Sequence, residues 1–181
     1  MDHGVRDERI SSKVRLEAFT EKYREALLDF YLPPEQLVFT ALPAETLDAA
    51  IADPQKLPVV VLQDGVAAGF FILHVGEAVR DFAAGNPRAV LLRAYLIDYK
   101  MQSHGAGTRS LALLPDFAKV HFPGADEIVL AVNVKNAAAA RLYLKAGFRD
   151  NGLRREGLHG PQRILQYKLK KEAWLDKEVA E

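Results

Sequence analysis

The chain has 181 residues, 24 Lys+Arg against 24 Asp+Glu, five His and no Cys, and 49% of it is apolar. That length suits one domain with a sizeable core, and zero net charge argues against a protein whose main business is coating nucleic acid. The lack of cysteine removes disulfides, thiolate nucleophiles and Cys-ligated metal sites, and fits a reducing cytosol.

Residues 1–12 alternate charges and lack the apolar stretch of a signal peptide. The longest apolar run, 66–75, is broken by His74 and is far short of the ~20 residues that span a bilayer. The pattern predicts a cytoplasmic protein with no membrane partner. A short strand is expected over 13–18. Thr20 is a plausible N-cap for a helix over 21–30, with Tyr23, Ala26, Leu27 and Phe30 on one face, stopped by Pro33 and Pro34. Pro43 suits the first turn of a second helix over 44–52, closed by Asp53 and Pro54.

The period then changes. Residues 58–63 and 66–74 flank Asp64-Gly65 and read as a β-hairpin. Residues 77–88 form a loop with room for one helical turn. The nearly unbroken apolar run 89–98 reads as a central strand covered on both faces. A helical stretch to His121 follows, which Pro115 should kink or divide. Then come a strand over 126–132, a helix over 136–146 stopped by Gly147, and strands over 148–154 and 163–170. The order describes one mixed α/β domain.

Charge is unevenly spread: net −5 over residues 1–98 and +5 over 99–181. Within the second half, Gln102, Ser103, His104, Gly105, Ala106, Gly107 and Thr108 lie between the buried strand and the following helix. No acidic side chain occurs between Lys100 and Leu114. Glycines let backbone approach a ligand, and free N–H groups at a helix start favour an anion, so a phosphate or pyrophosphate suits this turn. A Walker A loop is excluded by the missing Lys. A dinucleotide fingerprint is excluded by Ser110 at the third glycine position.

The segment from Leu92 to Asp98, then Gln102, Gly105 and Gly107, then Asn136, Ala140, Leu142, Tyr143, Gly147 and Phe148, resembles the GNAT family of N-acetyltransferases. The resemblance covers about residues 13–169. It implies a single-domain α/β fold: a mixed, mostly antiparallel sheet flanked by helices, with splayed fourth and fifth strands. It also implies a charged segment 1–12, an acetyltransferase domain 13–170 and a tail 171–181. The implied co-substrate is acetyl-CoA; no metal is expected, since no histidine pair has metal-ligand spacing with an acid. Backbone near Tyr95, Leu96 and Ile97 would hold the pantetheine arm, amides from Ser103 to Thr108 the pyrophosphate, and Asn136 the arm from the other side. Tyr143 would protonate the departing thiolate.

Many members of that family place a glutamate on the fourth strand as general base. Here that stretch offers Leu91 and Arg93. Asp81, Asp98, Glu35, His74 or a water chain remain alternatives. The resemblance also puts the acceptor between the first helices and the last hairpin. Residues 19–64 hold three basic and eight acidic side chains there, and Phe30, Tyr31 and Phe39 would line its apolar part. A looser likeness to bacterial diamine and polyamine acetyltransferases points to a small amine or polyamine acceptor. The other readings are a non-catalytic acyl-CoA sensor and an enzyme acting on peptide or protein N-termini. A small-molecule amine is the expected partner, a homodimer is left open, and no nucleic acid is expected.

Overall fold

The computed structural model describes residues 12–169. The expected tail, with Trp174, and nearly all of the charged N-terminal segment lie outside them. The chain forms strands β1 (Val14–Ala18), β2 (Lys56–Gln63), β3 (Val66–His74), β4 (Ala89–Ile97), β5 (Glu127–Asn133), β6 (Arg149–Gly157) and β7 (Gly160–Lys168). Its α-helices are α1 (Arg24–Leu28), α2 (Pro34–Leu37), α3 (Pro43–Ala52), α4 (Ala106–His121) and α5 (Ala137–Lys145). Among the described residues, no helix is long and apolar enough to cross a membrane.

One seven-stranded sheet runs β1-β2-β3-β4-β5-β7-β6. Every neighbouring pair is antiparallel except β4 and β5, which are parallel. That parallel ladder is short: Ala89 pairs with Glu127, Val90 with Ile128 and Leu91 with Val129, and pairing then ends. Both strands continue beyond it, so they splay, and the expected fold class is the observed one.

Apolar alternation sorts the side chains between two helical layers. Val90 and Leu92 of β4 share a core with Leu111, Leu114 and Ala118 of α4, while Leu27, Leu47 and Ala50 of α1 and α3 cover Val60, Phe70 and Leu96 on the other face. Pro115 does not divide α4. It forfeits one backbone bond, but the buried residues on both sides of it hold the helix to the sheet.

The first helices differ from expectation. The 21–30 segment begins as a 3₁₀ turn over Glu21–Tyr23, Thr20 makes no side-chain cap bond, and α1 stops at Leu28. Pro33 and Pro34 open a helix rather than only ending one: Pro33 is extended and Pro34 begins α2. A proline suits the first helical turn because the N–H it lacks has no intrahelical acceptor there.

The candidate active-site cleft

A bulge in β4 prepares the site. Phe70 of β3 pairs with Leu96 and Ile72 with Arg93, so Ala94 and Tyr95 together oppose Phe71. Ala94 takes the left-handed conformation, φ 50°. An extra residue reverses the alternation of side chains along a strand. Before the bulge, even-numbered residues face α4; after it, Tyr95 and Ile97 do, and Leu96 joins the α1–α3 core.

The bulge also decides which backbone groups leave the β3 ladder. Asp98 N–H bonds to Ala68 O on β3. Alternate residues of an antiparallel ladder point their polar groups the same way, so those of Leu96 also face β3. Those of Tyr95 and Ile97 face the gap left by β5, where Tyr95 O accepts from Thr40 Oγ1 at 3.5 Å and Ile97 O from Gln102 Nε2 at 3.0 Å. Of the three residues expected along the pantetheine arm, Tyr95 and Ile97 thus face the gap and Leu96 faces β3.

The splay opens into a cleft of about 470 Å³. Tyr95, Leu96, Ile97, Gln102, Ser103, Gly105, Ala106, Gly107, Thr108, Asn136 and Tyr143 all line it. His104 is not among the lining residues; its carbonyl accepts a bond from Gln63 Nε2 at 3.1 Å. Gly105 precedes α4 with φ 84°, a left-handed conformation that disfavours a side chain. No side chain caps this helix, and its first turn holds no acid. The first-turn amides lack intrahelical acceptors, and the helix dipole adds partial positive charge. That donor set fits a polyphosphate.

Side chains brace the cleft in ways the sequence does not disclose. Tyr95 donates its hydroxyl hydrogen to Gly107 O at 3.1 Å or shares it with Ser110 Oγ at 2.8 Å, tying β4 to the first turn of α4. Gln102 Nε2 donates to Ile97 O at 3.0 Å and to Gln36 Oε1 at 2.8 Å, while Gln36 Nε2 returns a bond to Gln102 Oε1 at 3.2 Å. This clamp fastens α2 to the turn that precedes α4. Ser110 is visible in the sequence only as a missing glycine, and nothing there pairs Gln36 with Gln102.

Asn136 caps α5, with Oδ1 accepting from Ala139 N at 3.2 Å, which leaves its amide hydrogens for another partner. Tyr143, seven residues on, is 8% exposed, its ring edge-on to Tyr95 and to Phe148 with centroids 5.9 Å apart in each case. Burial and the neighbouring Tyr95 hydroxyl hold its pKa above the ordinary tyrosine range. Tyr95 is itself pushed up to about 12 by burial, against the opposing bond from Ser110. Both phenols keep their protons at neutral pH.

Of the four candidate bases, Glu35 alone lines this cleft. Asp98 is buried on the β3 side, where Oδ1 accepts from Tyr31 N at 3.0 Å and Lys100 lies 3.5 Å from Oδ2. His74 is buried against Arg93, and Asp81 is exposed on a 3₁₀ turn. The acceptor expectations also change. Phe39 lines the cleft, but Phe30 is buried in the α1–α3 core and Tyr31 stacks edge-on against Tyr99 outside it. No residue of the β6–β7 hairpin lines the cleft.

The acetyltransferase (GNAT) family profile matches residues 18–148. The uncharacterized N-acetyltransferase YbbJ of Bacillus subtilis (strain 168) is 36% identical over 160 residues, 88% of this chain and 100% of that one. A spermine/spermidine N(1)-acetyltransferase of the same organism is 28% identical over 141 residues, 77% of this chain and 90% of that one. Among solved structures, aminoglycoside acetyltransferase AAC(6')-Ib in complex with coenzyme A superposes with a TM-score of 0.67 at 19% identity, covering 86% of this chain and 95% of that one. Spermidine N-acetyltransferase from Vibrio cholerae, in complex with CoA and spermine, gives 0.59 at 17% identity, covering 86% and 95%.

Proposed function

The chain belongs to the acetyltransferase (GNAT) family, and from that premise we propose that it moves an acetyl group from acetyl-CoA to a primary amine of a small molecule, by direct attack in a ternary complex. The observation that carries this reading is the parting of β4 and β5 after Leu91 and Val129, which opens backbone groups of Tyr95 and Ile97, the first turn of α4 and the Tyr143 side chain onto one cleft. The spermine/spermidine relative supports an amine acceptor.

In this reading the amides of the first turn of α4 receive the pyrophosphate, and Tyr95 and Ile97 pair with the pantetheine arm as a strand would. Asn136 offers its amide from the α5 side. The amine must be unprotonated to attack, and free alkylamines have pKa values near ~10, so a proton leaves first. Glu35 is the carboxylate in the cleft to take it, directly or through water. The nitrogen lone pair then forms the C–N bond at the thioester carbonyl, and the C–S bond breaks with its electron pair left on sulfur. Tyr143, protonated and facing the cleft, donates its hydrogen to that sulfur. The nitrogen loses its second proton to solvent, Glu35 passes its proton to solvent, and the tyrosinate is reprotonated from solvent.

Release of free thiol from acetyl-CoA, followed across a panel of primary amines with the acetylated products identified by mass, tests the proposal. Turnover with at least one small amine is expected. CoA binding without turnover of any amine would indicate a sensor, and turnover confined to peptide N-termini would indicate a different acceptor class.

A further inference from the structure

A second cavity, of about 300 Å³, adjoins the first: Phe39 and Thr40 line both. It lies on the α1–α3 face, between α3 and the bulged part of β4, and Arg93, Lys56 and Glu45 are its charged residues. Arg93 stands one residue before the bulge, on the strand where the family resemblance leads one to expect an acid.

Lys56 and Arg93 match Asp53 and Glu45 in number, but the charges are unevenly placed. Lys56 lies 3.1 Å from Asp53, so its charge is matched. Glu45 turns back to cap α3, with Oε2 accepting from Leu42 N at 2.8 Å where the helix dipole supports it. Arg93 has no acid within 4 Å among the described residues. Its Nη1 is 3.1 Å from Nδ1 of His74, which is 4% exposed. Arginine can only donate, so Nδ1 accepts and the imidazole proton sits on Nε2. Burial, helped by the Arg93 charge, holds the His74 pKa below its usual value, so the ring is neutral. A neutral histidine orients the guanidinium and leaves its charge for something else.

We propose that the acceptor carries a carboxylate as well as its primary amine, and that Arg93 binds the carboxylate in this second cavity while the amine reaches the first across the rim of Phe39 and Thr40 that the two cavities share, where Thr40 Oγ1 donates to Tyr95 O at 3.5 Å. A single guanidinium offers a planar pair of donors and one positive charge, which a carboxylate matches in shape and charge. The acceptor is thus an amino acid or a derivative with a free carboxylate, and a diamine leaves Arg93 unmatched. This inference rests on the amine-acetylation reading and names its substrate class.

Two measurements on the full chain test it. Thiol release is compared for lysine and ornithine against their decarboxylated diamines, cadaverine and putrescine, in the wild type and in Arg93→Gln. The wild type is expected to favour the carboxylate member of each pair by tenfold or more in kcat/KM, and Arg93→Gln is expected to collapse that preference through KM. Calorimetric binding of the same four compounds in the presence of CoA needs no turnover: a tenfold or greater loss for lysine or ornithine in Arg93→Gln supports the carboxylate site even where transfer fails. Wild-type preference for the diamines, or equal carboxylate binding by the two proteins, overturns the inference and leaves the amine-acetylation reading standing. An unchanged CoA affinity in Arg93→Gln shows that the variant is folded.

Discussion

Tyr143 and Tyr95 hold their protons because burial makes a phenolate unfavourable, and the same physics acts on His74 with the opposite sign of charge. The folded protein keeps His74 neutral through burial and the nearby Arg93 and Lys56 charges, with Asp53 opposing. An unfolded histidine titrates near ~6.5. Below that value the unfolded chain binds a proton that the folded one refuses, so the contribution of His74 to stability is present above it and is lost as pH falls through the folded value. Urea unfolding at about pH 7 and about pH 5 is therefore expected to show a smaller acid loss in His74→Gln, whose amide oxygen can still accept from Arg93. Equal losses in the two proteins would contradict the assignment of a neutral, buried imidazole.

At the level of elements, the cleft depends on two local departures from regularity, the β4 bulge and the left-handed residue before α4. Gly105→Ala places a Cβ in a left-handed conformation, and that Cβ meets the Arg109 guanidinium at 3.4 Å. The strain is about 1–2 kcal/mol, a fall in Tm of about 2–8 °C for a domain of this size, together with weaker CoA binding as the first-turn amides shift. An unchanged Tm with unchanged CoA affinity would show that this conformation is not needed. Elements of this kind divide what a sequence discloses from what it hides. The Asp64-Gly65 hairpin and the apolar run of β4 are legible because strand period and turn chemistry are local. Gly105, Gly107, Asn136 and Tyr143 are legible as a motif and line one cleft. The bulge at Ala94 carries no local signal, because its position follows from the register that β3 imposes. Helix α2 is hidden because Pro33-Pro34 reads equally well as a stop or a start. The Gln36–Gln102 clamp joins residues far apart in the chain, which no periodicity relates.

Across the whole molecule, residues 1–98 carry net −5 and residues 99–181 net +5, but several acids of the first half are engaged locally and away from the cleft. Arg24 takes up Glu21 and Asp48, Lys56 pairs with Asp53, and Lys100 reaches Asp29. Glu45 caps α3, and Asp64 accepts from Lys13 N at 2.8 Å. The acidic wall expected around the acceptor thus narrows to Glu35 in the cleft, while the first turn of α4 stays free of acids. The fold joins the acid-free first turn of α4, the Glu35 carboxylate and a protonated phenol at one opening in the sheet, and the account stands on the proposal that the phenol acts there as an acid. The most direct measurement is kcat for Tyr143→Phe on the best amine of the panel, beside the dissociation constant for CoA. A fall in kcat of at least about 10²-fold with unchanged CoA affinity is predicted; an unchanged kcat would remove Tyr143 from the chemistry and contradict the account.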